Sequence, residues 1–461
     1  MPESTHLPRR HFLATVVSAG FASSVSHSSR AAQPTTNAEG PRNDTSAAAS
    51  EPNRHVLKSQ PLPEPEVILP TDALAVPKGA KKRVVAITTA YFKYSHADDI
   101  ITKFIEGYGV VGRSHLPHCD VVSLYIEQFP KSDIGRGMAA RYGIPLFDTP
   151  AGALTLGGKK LAADAVLLIG EHGDYPFNEK GQHLYPRRRL FEEIVKVFRS
   201  SDQSVPVFND KHFSYSWQDA EWMYQQSRKL DFPMMAGSSV PVTWRRPALA
   251  FQPGIRLDSA LAVGVGGLLE GYGYHTLELL QTFVEKRRGG ETGIKAVQVL
   301  EGEATWQAAR AGRWPVHLLP AAMATVPGAR KGLSNLNELR QADPKAAVFL
   351  LEYQDGFQAA AYISHSMVSE FCFAASVHGQ SEPVSTWCYT PKPQRDHFSF
   401  LCNHIEVMFR SGRPSYPVER TYLVTGALAA LMNSHSADGK RQETPHLQNV
   451  KYTPAQEYTV R

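Results

Sequence analysis

Cysteine is scarce in this chain, and the few cysteines lie far apart. Only four occur among 461 residues: Cys119, Cys372, Cys388 and Cys402. This spacing offers neither the close pairs of a zinc site nor the dense framework of a small disulfide-rich domain. We therefore expect most of the four to be apolar core residues, with one disulfide at most.

Long apolar runs are also missing. No segment approaches the roughly 20 apolar residues that a membrane-spanning helix requires, so we expect no integral membrane segment. A large charge excess is missing as well, because 49 Lys and Arg residues against 44 Asp and Glu residues leave a formal net charge of +5. The basic residues are scattered, and their distribution gives no indication of a nucleic-acid partner.

The N-terminus has its features in the order that export signals show. Arg9 and Arg10 precede a Phe-Leu pair and a mildly apolar stretch, Ala14–Val25, which resembles a twin-arginine export signal. We predict a signal over residues 1–32, the twin-arginine machinery as a partner, and a periplasmic or extracellular location. Residues 33–80 are rich in Ser, Thr, Ala and Pro without a sustained apolar period, which predicts a disordered linker.

From residue 81 onward, short apolar runs alternate with helical patterns. The predicted strands are Val84–Thr88, Val121–Ile126, Ala165–Ile169, Val205–Phe208 and Pro233–Ala236, and the predicted helices are His96–Glu106, Ile134–Tyr142, Ala151–Leu156, Arg187–Phe198 and Gln218–Lys229. This alternation is typical of a doubly wound parallel sheet. We therefore predict an α/β protein whose first folded domain, residues 81–239, is a Rossmann-like nucleotide-binding domain.

The remaining residues follow a different pattern. Strands are predicted at Leu257–Gly267, Ile294–Glu301, Ala347–Tyr353, Gln358–His365, Phe371–His378 and Val384–Tyr389, and helices at Thr276–Lys286, His397–Phe409 and Val418–Asn433. Neighbouring strands joined by turn signals indicate antiparallel pairing. We predict that residues 240–461 form an α+β domain with a mostly antiparallel open sheet, which binds substrate and supports a homo-oligomer.

No glycine-rich loop follows the first predicted strand. A dinucleotide-binding domain usually has Gly-x-Gly-x-x-Gly there, because glycines allow a tight turn and a close approach of backbone amides to a pyrophosphate. This chain has Ala-Tyr-Phe-Lys-Tyr-Ser-His after Thr89, and the side chains of Tyr91 and Tyr94 would crowd that approach. We therefore expect a nucleotide in a displaced pose, or none.

The most informative stretch follows the strand Val205–Phe208. Its next residues are Asn-Asp-Lys-His, and residues just past the carboxyl end of a parallel strand face the ligand crevice. The spacing resembles the Gfo/Idh/MocA oxidoreductases, in which a Glu-Lys-Pro corner precedes a helix and then a strand. Here Asp210, Lys211 and His212 stand at that corner. A more degenerate similarity extends over residues 81–447.

The resemblance implies roles for three catalytic candidates. Lys211 would touch the substrate hydroxyl and the nicotinamide region, with Asp210 beside it as the acid of the corner. His275 matches the family's active-site histidine, with Gly273 two residues before it and Glu278 three residues after it. A neutral imidazole can accept the proton of a hydroxyl that is oxidised to a ketone. The alternative for His275 is a structural role at a helix start.

The same resemblance implies a tightly held NAD or NADP and a sugar or polyol substrate. Glu127, at the end of the second strand, is placed to bind a ribose hydroxyl. Thr89 follows the first strand, while Glu171 and His172 follow Ala165–Ile169, where the family contacts the nicotinamide and sugar. These four residues are the predicted cofactor-binding set of an oxidoreductase.

Two other functions stay open. His172, Asp174 and His212 carry nitrogen and oxygen donors at neighbouring strand ends, and with Asp210 they are an alternative metal site for a carbohydrate lyase or hydrolase. The competing interpretation of these side chains is a polar network between two loops. The third function is carbohydrate binding without catalysis, since fold does not decide function. We interpret the run Arg187–Arg189 as a solvated helix start.

Overall fold

The computed structural model describes residues 79–110, 112–392 and 395–454, together with the backbone of two short strands at 67–68 and 459–460. The predicted signal lies outside the described residues, as does most of the predicted linker. Within that linker, Val67–Ile68 pairs antiparallel with Thr459–Val460.

The first sheet has six parallel strands. They are β1 Lys82–Ala90, β2 Cys119–Gln128, β3 Leu146–Phe147, β4 Ala165–Ile169, β5 Val207–Asp210 and β6 Met234–Gly237. Their order across the sheet is β3-β2-β1-β4-β5-β6. The predicted Rossmann-like parallel sheet is confirmed. Chain order reverses between β1 and β4, and in such sheets ligands bind in the crevice outside the carboxyl ends of the strands at this point.

Apolar strands covered on both faces hold this sheet together. All five residues of β4 are buried, as expected of a central parallel strand. One face packs against α3 Pro150–Thr155, α4 Arg187–Ser201 and α5 Trp217–Lys229. The other face packs against a π turn at Asp98–Thr102, α1 Lys103–Glu106, α2 Gly135–Tyr142 and a helix from late in the chain, His397–Ser411.

The second sheet has eight strands. They are β7 Trp244–Arg246, β8 Leu257–Val265, β9 Ile294–Glu301, β10 Ala347–Tyr353, β11 Gln358–Ser364, β12 Phe371–Val377, β13 Val384–Tyr389 and β14 Gln442–Glu443. Their order is β7-β13-β12-β8-β11-β10-β9-β14, and within it β8 and β11 are the one parallel pair. The predicted mostly antiparallel sheet is confirmed. The short strands β7 and β14 have no pattern of their own to predict them.

Helices cover both faces of the second sheet. One face carries α6 Leu269–Val284, with α11 Val418–His435 packed beside it. The other face carries α7 Glu303–Arg310, α8 Leu318–Ala324 and α9 Leu336–Ala342. The helix on the first sheet, His397–Ser411, is α10. Helices α7, α8 and α9 were not predicted from the sequence. These three helices, together with Trp306 and Trp314, cover one face of the sheet. That face is therefore not free to contact a second copy of the chain, and the homo-oligomer stays a prediction.

All four cysteines are buried and unpaired, so their prediction as core residues is confirmed. Burial raises the pKa of the Cys388 thiol to about 12, which keeps it from acting as a thiolate at neutral pH. Within the described ranges, no helix combines the length and apolar character that crossing a bilayer would take.

Candidate active site

Lys211 follows β5 in a backbone conformation that few side chains adopt. Its φ is +62°, in the left-handed region, and its N–H donates to the carbonyl of Gly237 at the end of β6 over 3.0 Å. The Asn209 side chain supports the turn, because its Nδ2 donates to the carbonyls of Asp210 and His212 over 3.3 and 3.2 Å. Strain of this kind persists where the surrounding structure enforces it, and it clusters at functional sites.

A carboxylate from the neighbouring strand end holds the Lys211 ammonium. Lys211 Nζ lies 2.9 Å from Oε1 of Glu171, and Oε2 of Glu171 accepts a hydrogen bond from Arg187. Burial alone would raise the pKa of Glu171, but the charges of Lys211 and Arg187 outweigh it and hold that pKa well below its usual range. Arg187 is fully buried, so the prediction of a solvated helix start is wrong for this residue.

His275 reaches the crevice from α6 with its tautomer set by a hydrogen-bonded chain. Its Nδ1 lies 2.9 Å from Oγ of Ser238, which donates to Oε2 of Glu278 over 2.5 Å. When Glu278 is ionised, the serine proton goes to its carboxylate, so that Nδ1 of His275 is the donor and Nε2 keeps its lone pair. Gly237, with φ +140°, makes room for this chain, since a Cβ there would overlap the Glu278 carboxylate.

Lys211 and His275 face one crevice from different sheets. Burial, and then the positive charge of Lys211, lower the pKa of His275 well below its usual range. The imidazole is therefore neutral at pH 7 and able to accept a proton beside the ammonium. Two of the three predicted catalytic residues thus come together, while the third, Asp210, is bonded to another side chain.

Asp210 holds a histidine that the sequence analysis assigned only to a helix. Oδ2 of Asp210 lies 2.7 Å from Nδ1 of His96, and both side chains are buried. The rings of His172 and Phe398 pack edge-on against His96 at centroid distances of 5.4 and 5.2 Å. The one sequence feature that could have pointed to His96 is its position shortly after β1, where the glycine-rich loop is missing.

The end of β1 has a tyrosine-rich turn where a dinucleotide-binding domain usually has a glycine-rich loop. Tyr91 is fully buried, and its hydroxyl lies 2.8 Å from Oγ1 of Thr102. Tyr94 has φ +66°, a conformation that glycine supplies in the usual loop. The turn is closed by Ser95, whose hydroxyl accepts the N–H of Phe92 over 3.1 Å. The two tyrosines that were predicted to crowd this position have different roles. The ring of Tyr91 fills the core, and Tyr94 forms the turn.

The first helical turn after β1 is acidic. Asp98 and Asp99 are both buried there. Asp98 accepts the backbone N–H of Tyr94 over 2.9 Å and pairs with Lys93 at 3.1 Å, and Asp99 pairs with Arg395 at 2.8 Å. A helix N-terminus attracts anions through its free N–H groups and its dipole. The chain's own carboxylates lie at that position, and they engage Lys93 and Arg395, two cations that could otherwise bind a phosphate.

Glu127, the predicted ribose ligand, already has strong donors. Its two carboxylate oxygens lie 2.7 and 2.6 Å from Nη2 of Arg189, and the Tyr175 hydroxyl donates to it over 2.7 Å. These contacts link the end of β2 to the start of α4. A ribose hydroxyl would have to compete with a charge-assisted pair for the same oxygens.

The other predicted cofactor-binding residues are engaged as well. The Thr89 hydroxyl donates to the carbonyl of Glu171 over 2.8 Å, and the Glu171 carboxylate is held by its two cations. His172 packs against neighbouring rings, and its burial lowers its pKa to about 4. The residues present therefore do not fit a dinucleotide in the usual pose. NAD or NADP stays a prediction that requires a displaced pose.

The alternative metal set is not assembled. His212 Nε2 lies 3.3 Å from Arg187 and 3.8 Å from a carboxylate oxygen of Glu270, while Asp174 is exposed and bonds to the β2 end only through its backbone. No group of three or more His, Cys, Asp or Glu side chains in the described ranges is arranged to hold a metal. The structure therefore does not bring His172, Asp174 and His212 together as a ligand set, and the alternative metal site stays a prediction.

A cavity of about 640 Å³ opens beside the crevice. Its lining includes the rings of Phe92, Phe129, His183 and Tyr185, with Gln128 and Asp174 as polar groups. No lysine or arginine lines it, so it offers no cation to a phosphate. The volume and the lining suit a small ligand that combines apolar faces with hydroxyl groups.

Comparisons with known proteins give a likeness of fold. No protein-family model and no curated protein matches the chain. Among solved structures, GenD2 from gentamicin A biosynthesis in complex with NAD is 14% identical with a TM-score of 0.49, over 80% of this chain and 99% of that one. Myo-inositol 2-dehydrogenase from Lactobacillus plantarum is 9% identical with a TM-score of 0.48, over 79% and 99%.

A third similar structure is an oxidoreductase from Agrobacterium radiobacter in complex with NAD+, L-tartaric acid and magnesium. It is 13% identical with a TM-score of 0.46, over 80% of this chain and 99% of that one. At this level of identity the likeness concerns the fold alone, and the activity of this chain has to be argued from its own residues.

Proposed function

We propose that this protein is a divergent Gfo/Idh/MocA-type enzyme that acts at a hydroxyl-bearing carbon of a sugar or polyol, most simply as an oxidoreductase. The observation that carries the proposal is the convergence of Lys211, from the end of β5, and His275, from α6, on one crevice. These are the two residues on which the sequence resemblance places the chemistry.

Lys211 would orient the reacting oxygen. Its ammonium has one counter-ion, Glu171 at 2.9 Å, and bonds to no other described side chain, so ammonium protons remain for a substrate oxygen. His275 would take the hydroxyl proton at Nε2, because its Nδ1 is committed to Ser238. The imidazolium that forms would be stabilised through Ser238 by the Glu278 carboxylate.

The cavity beside the crevice supports a neutral sugar or polyol as the substrate. The faces of Phe92, Phe129 and Tyr185 can pack against the C–H face of a sugar ring, while Gln128 can bond its hydroxyls. Asp174, the charged group of the lining, disfavours a phosphorylated sugar. The lining of the cavity therefore favours neutral carbohydrates over sugar phosphates and nucleotide sugars.

Oxidation of a hydroxyl to a ketone requires a hydride acceptor. The acceptor that the resemblance implies is NAD or NADP, and the closed end of β1 requires it to bind elsewhere. The acceptor would have to lie beside the carbon whose hydroxyl Lys211 and His275 hold, because the hydride leaves that carbon as the proton leaves its oxygen. A redox-neutral carbohydrate enzyme is the second candidate function, and the same closed end of β1 favours it.

A substrate screen separates these functions. Purified protein would be incubated with inositols, hexoses and neutral disaccharides in the presence of NAD, of NADP and of neither, with dinucleotide reduction and product followed together. We expect a product that is lost in both Lys211→Ala and His275→Ala. Product without dinucleotide would select the redox-neutral function, and binding without any product would select a carbohydrate-binding protein. Turnover that survives both substitutions would refute the proposed site.

We also propose that the chain is exported by the twin-arginine route, which carries folded proteins. The support is the order of Arg9, Arg10 and the apolar stretch Ala14–Val25. Replacing both arginines with lysine should leave the protein in the cytoplasmic fraction of a host that has this route. Export that is unaffected by the double substitution would contradict the proposal.

A further inference from the structure

The crevice contains a second histidine–carboxylate pair, His96 with Asp210, that the proton handling by Lys211 and His275 leaves unused. Nδ1 of His96 and Oδ2 of Asp210 are 2.7 Å apart, and the exposed fractions of the two side chains are 9% and 0%. The residues lie 114 positions apart and come from the ends of β1 and β5. The fold therefore assembles this pair at the ligand crevice itself.

The pair leaves one imidazole nitrogen of His96 available. A carboxylate at Nδ1 makes Nδ1 the protonated nitrogen, which places the lone pair on Nε2. Nε2 bonds to no described residue, and 9% of the His96 side chain is exposed. The rings of His172 and Phe398 restrain the imidazole, and Oδ1 of Asp210 is buried without a partner of its own. These features describe an oriented base rather than a saturated structural contact.

We propose that His96, oriented by Asp210, is a second acid–base group of the active site, acting on the part of a sugar or polyol that enters the cavity beside Phe92. This inference rests on the proposed function for its substrate. The ring of His96 packs against His172, and His172 and Phe92 both line the cavity, so a ligand in the cavity would be one side chain away from His96. Asp210 is a positioning residue in this arrangement, because it acts through the imidazole.

The proton transfer balances without a co-reactant. Neutral His96 accepts the proton of a substrate O–H at Nε2, the bonding electron pair stays on the oxygen, and the imidazolium pairs with the Asp210 carboxylate. The same nitrogen then returns the proton to the substrate or to water, which restores the neutral ring. With His275 as the other group, the crevice can take a proton at one substrate position and give one at another within a turnover.

Groups from every neighbouring element set the charge around His96. They are Asp99 on its own element, Glu171 and His172 after β4, Asp210 and Lys211 after β5, His275 on α6, and Arg395 and His397 at α10. Cations and carboxylates are mixed in this set. The midpoint of a pH–activity curve therefore does not identify His96 as the titrating group. Comparing the curves of the wild type and a His96 variant does.

Chemical labelling tests the availability of Nε2 without any assay of activity. Diethyl pyrocarbonate modifies neutral, accessible imidazoles, and peptide mass spectrometry locates the modified residue. We expect modification at His96, slower than at the exposed His378, and none at His212, which is 3% exposed. Asp210→Asn should change the rate at His96 while leaving His378 unaffected. An unmodified His96 beside a fully modified His378 would overturn the proposal.

The catalytic role is tested on a substrate found in the screen. His96→Gln should lower kcat by about 100-fold with a smaller change in KM, and added imidazole should restore part of it. Asp210→Asn, which keeps an oxygen acceptor but removes the charge, should lower kcat less and shift the acid limb of the pH profile. His378→Gln is the control with unchanged kcat.

The outcomes separate this inference from the proposed function. Turnover that is lost in Lys211→Ala but retained in His96→Gln would overturn the role of His96 alone. Wild-type protein without turnover of any sugar or polyol would refute the proposed function and, with it, the catalytic role of His96.

Discussion

The ends of β1 and β5 lie at the same edge of one sheet, and they have diverged to different degrees. At the end of β5, the lysine that the family resemblance predicts, Lys211, stands in a strained corner, and Glu171, predicted as a cofactor ligand, is its counter-ion. At the end of β1, the buried ring of Tyr91 and the acidic turn at Asp98 occupy the position of a phosphate-binding loop. The β5 end therefore has the lysine corner that the resemblance predicts, whereas the β1 end has a tyrosine and an acidic turn in place of glycines.

Electrostatics distinguishes the two ends more sharply than shape. After β5, the buried Glu171 carboxylate is paired with Lys211 and Arg187, so a carboxylate balances two cations. After β1, two buried carboxylates, Asp98 and Asp99, lie in the first helical turn. The ammonium of Lys211 is placed to receive a substrate oxygen, whereas the carboxylates after β1 are paired with Lys93 and Arg395 and leave no cation free for an anion among these four residues.

The largest expected effect tests the ion network of the β5 end. Glu171→Gln removes the counter-charge of Lys211 and Arg187, and breaking a buried ion pair in this way costs about 3–5 kcal/mol of unfolding free energy. The matched change at the β1 end, Asp98→Asn, should cost about 1 kcal/mol, because it weakens contacts at a helix start. Urea unfolding of both variants measures the difference. Equal losses would mean that the two ends do not differ in this way.

The next effect concerns turnover. Lys211→Ala and His275→Ala should each lower kcat by about 100-fold, equal to about 2.7 kcal/mol in the barrier, while the protein stays folded. The double variant should lose less than the product of the two losses, because both residues act on one proton transfer. Lys93→Ala, a lysine beyond the end of β1, is the control and should keep its turnover. Equal losses for Lys93→Ala and Lys211→Ala would contradict the comparison.

A smaller effect is expected on the pH dependence of stability. Burial raises the pKa of Glu270 and of Glu278 from 4.5 to about 7. Between these values the folded state keeps protons that the unfolded state has released, so the stability present below pH 4.5 is lost as the pH rises through about 7.

Glu270→Gln should make that pH dependence shallower, because one of the two raised carboxyls is removed. Urea unfolding across this pH interval measures the slope, with Glu192→Gln on the surface of α4 as the control. A slope that is unchanged in Glu270→Gln would show that this carboxyl ionises normally in the folded protein.

The strands and most helices were predictable because their residues carry local signals. The apolar run Ala165–Ile169 is buried along its whole length, and the predicted and observed bounds of this strand agree. In contrast, α7, α8 and α9 escaped prediction because they are short and gain their stability from packing on the second sheet. Local patterns specify elements that are long, and tertiary contacts specify the rest.

The candidate site was predictable only in part for a similar reason. Lys211 follows a strand signal, and His275 directly precedes the predicted helix Thr276–Lys286, although the observed helix already begins at Leu269. His96 and Arg187 owe their roles to contacts with Asp210 and Glu171, which are distant in sequence. A run of three arginines gives no sign that its first member is fully buried, because burial depends on a partner from another strand end.

ADP-ribose tests the central claim most directly, because it is the part of a dinucleotide that a glycine-rich loop and a ribose-binding acid would hold. A ligand that binds the folded state raises Tm by mass action. Because the end of β1 and Glu127 are occupied by the chain's own side chains, we expect no change of Tm with ADP-ribose in the wild type or in Glu127→Ala. A rise in Tm that grows with ADP-ribose concentration, and disappears in Glu127→Ala, would contradict it.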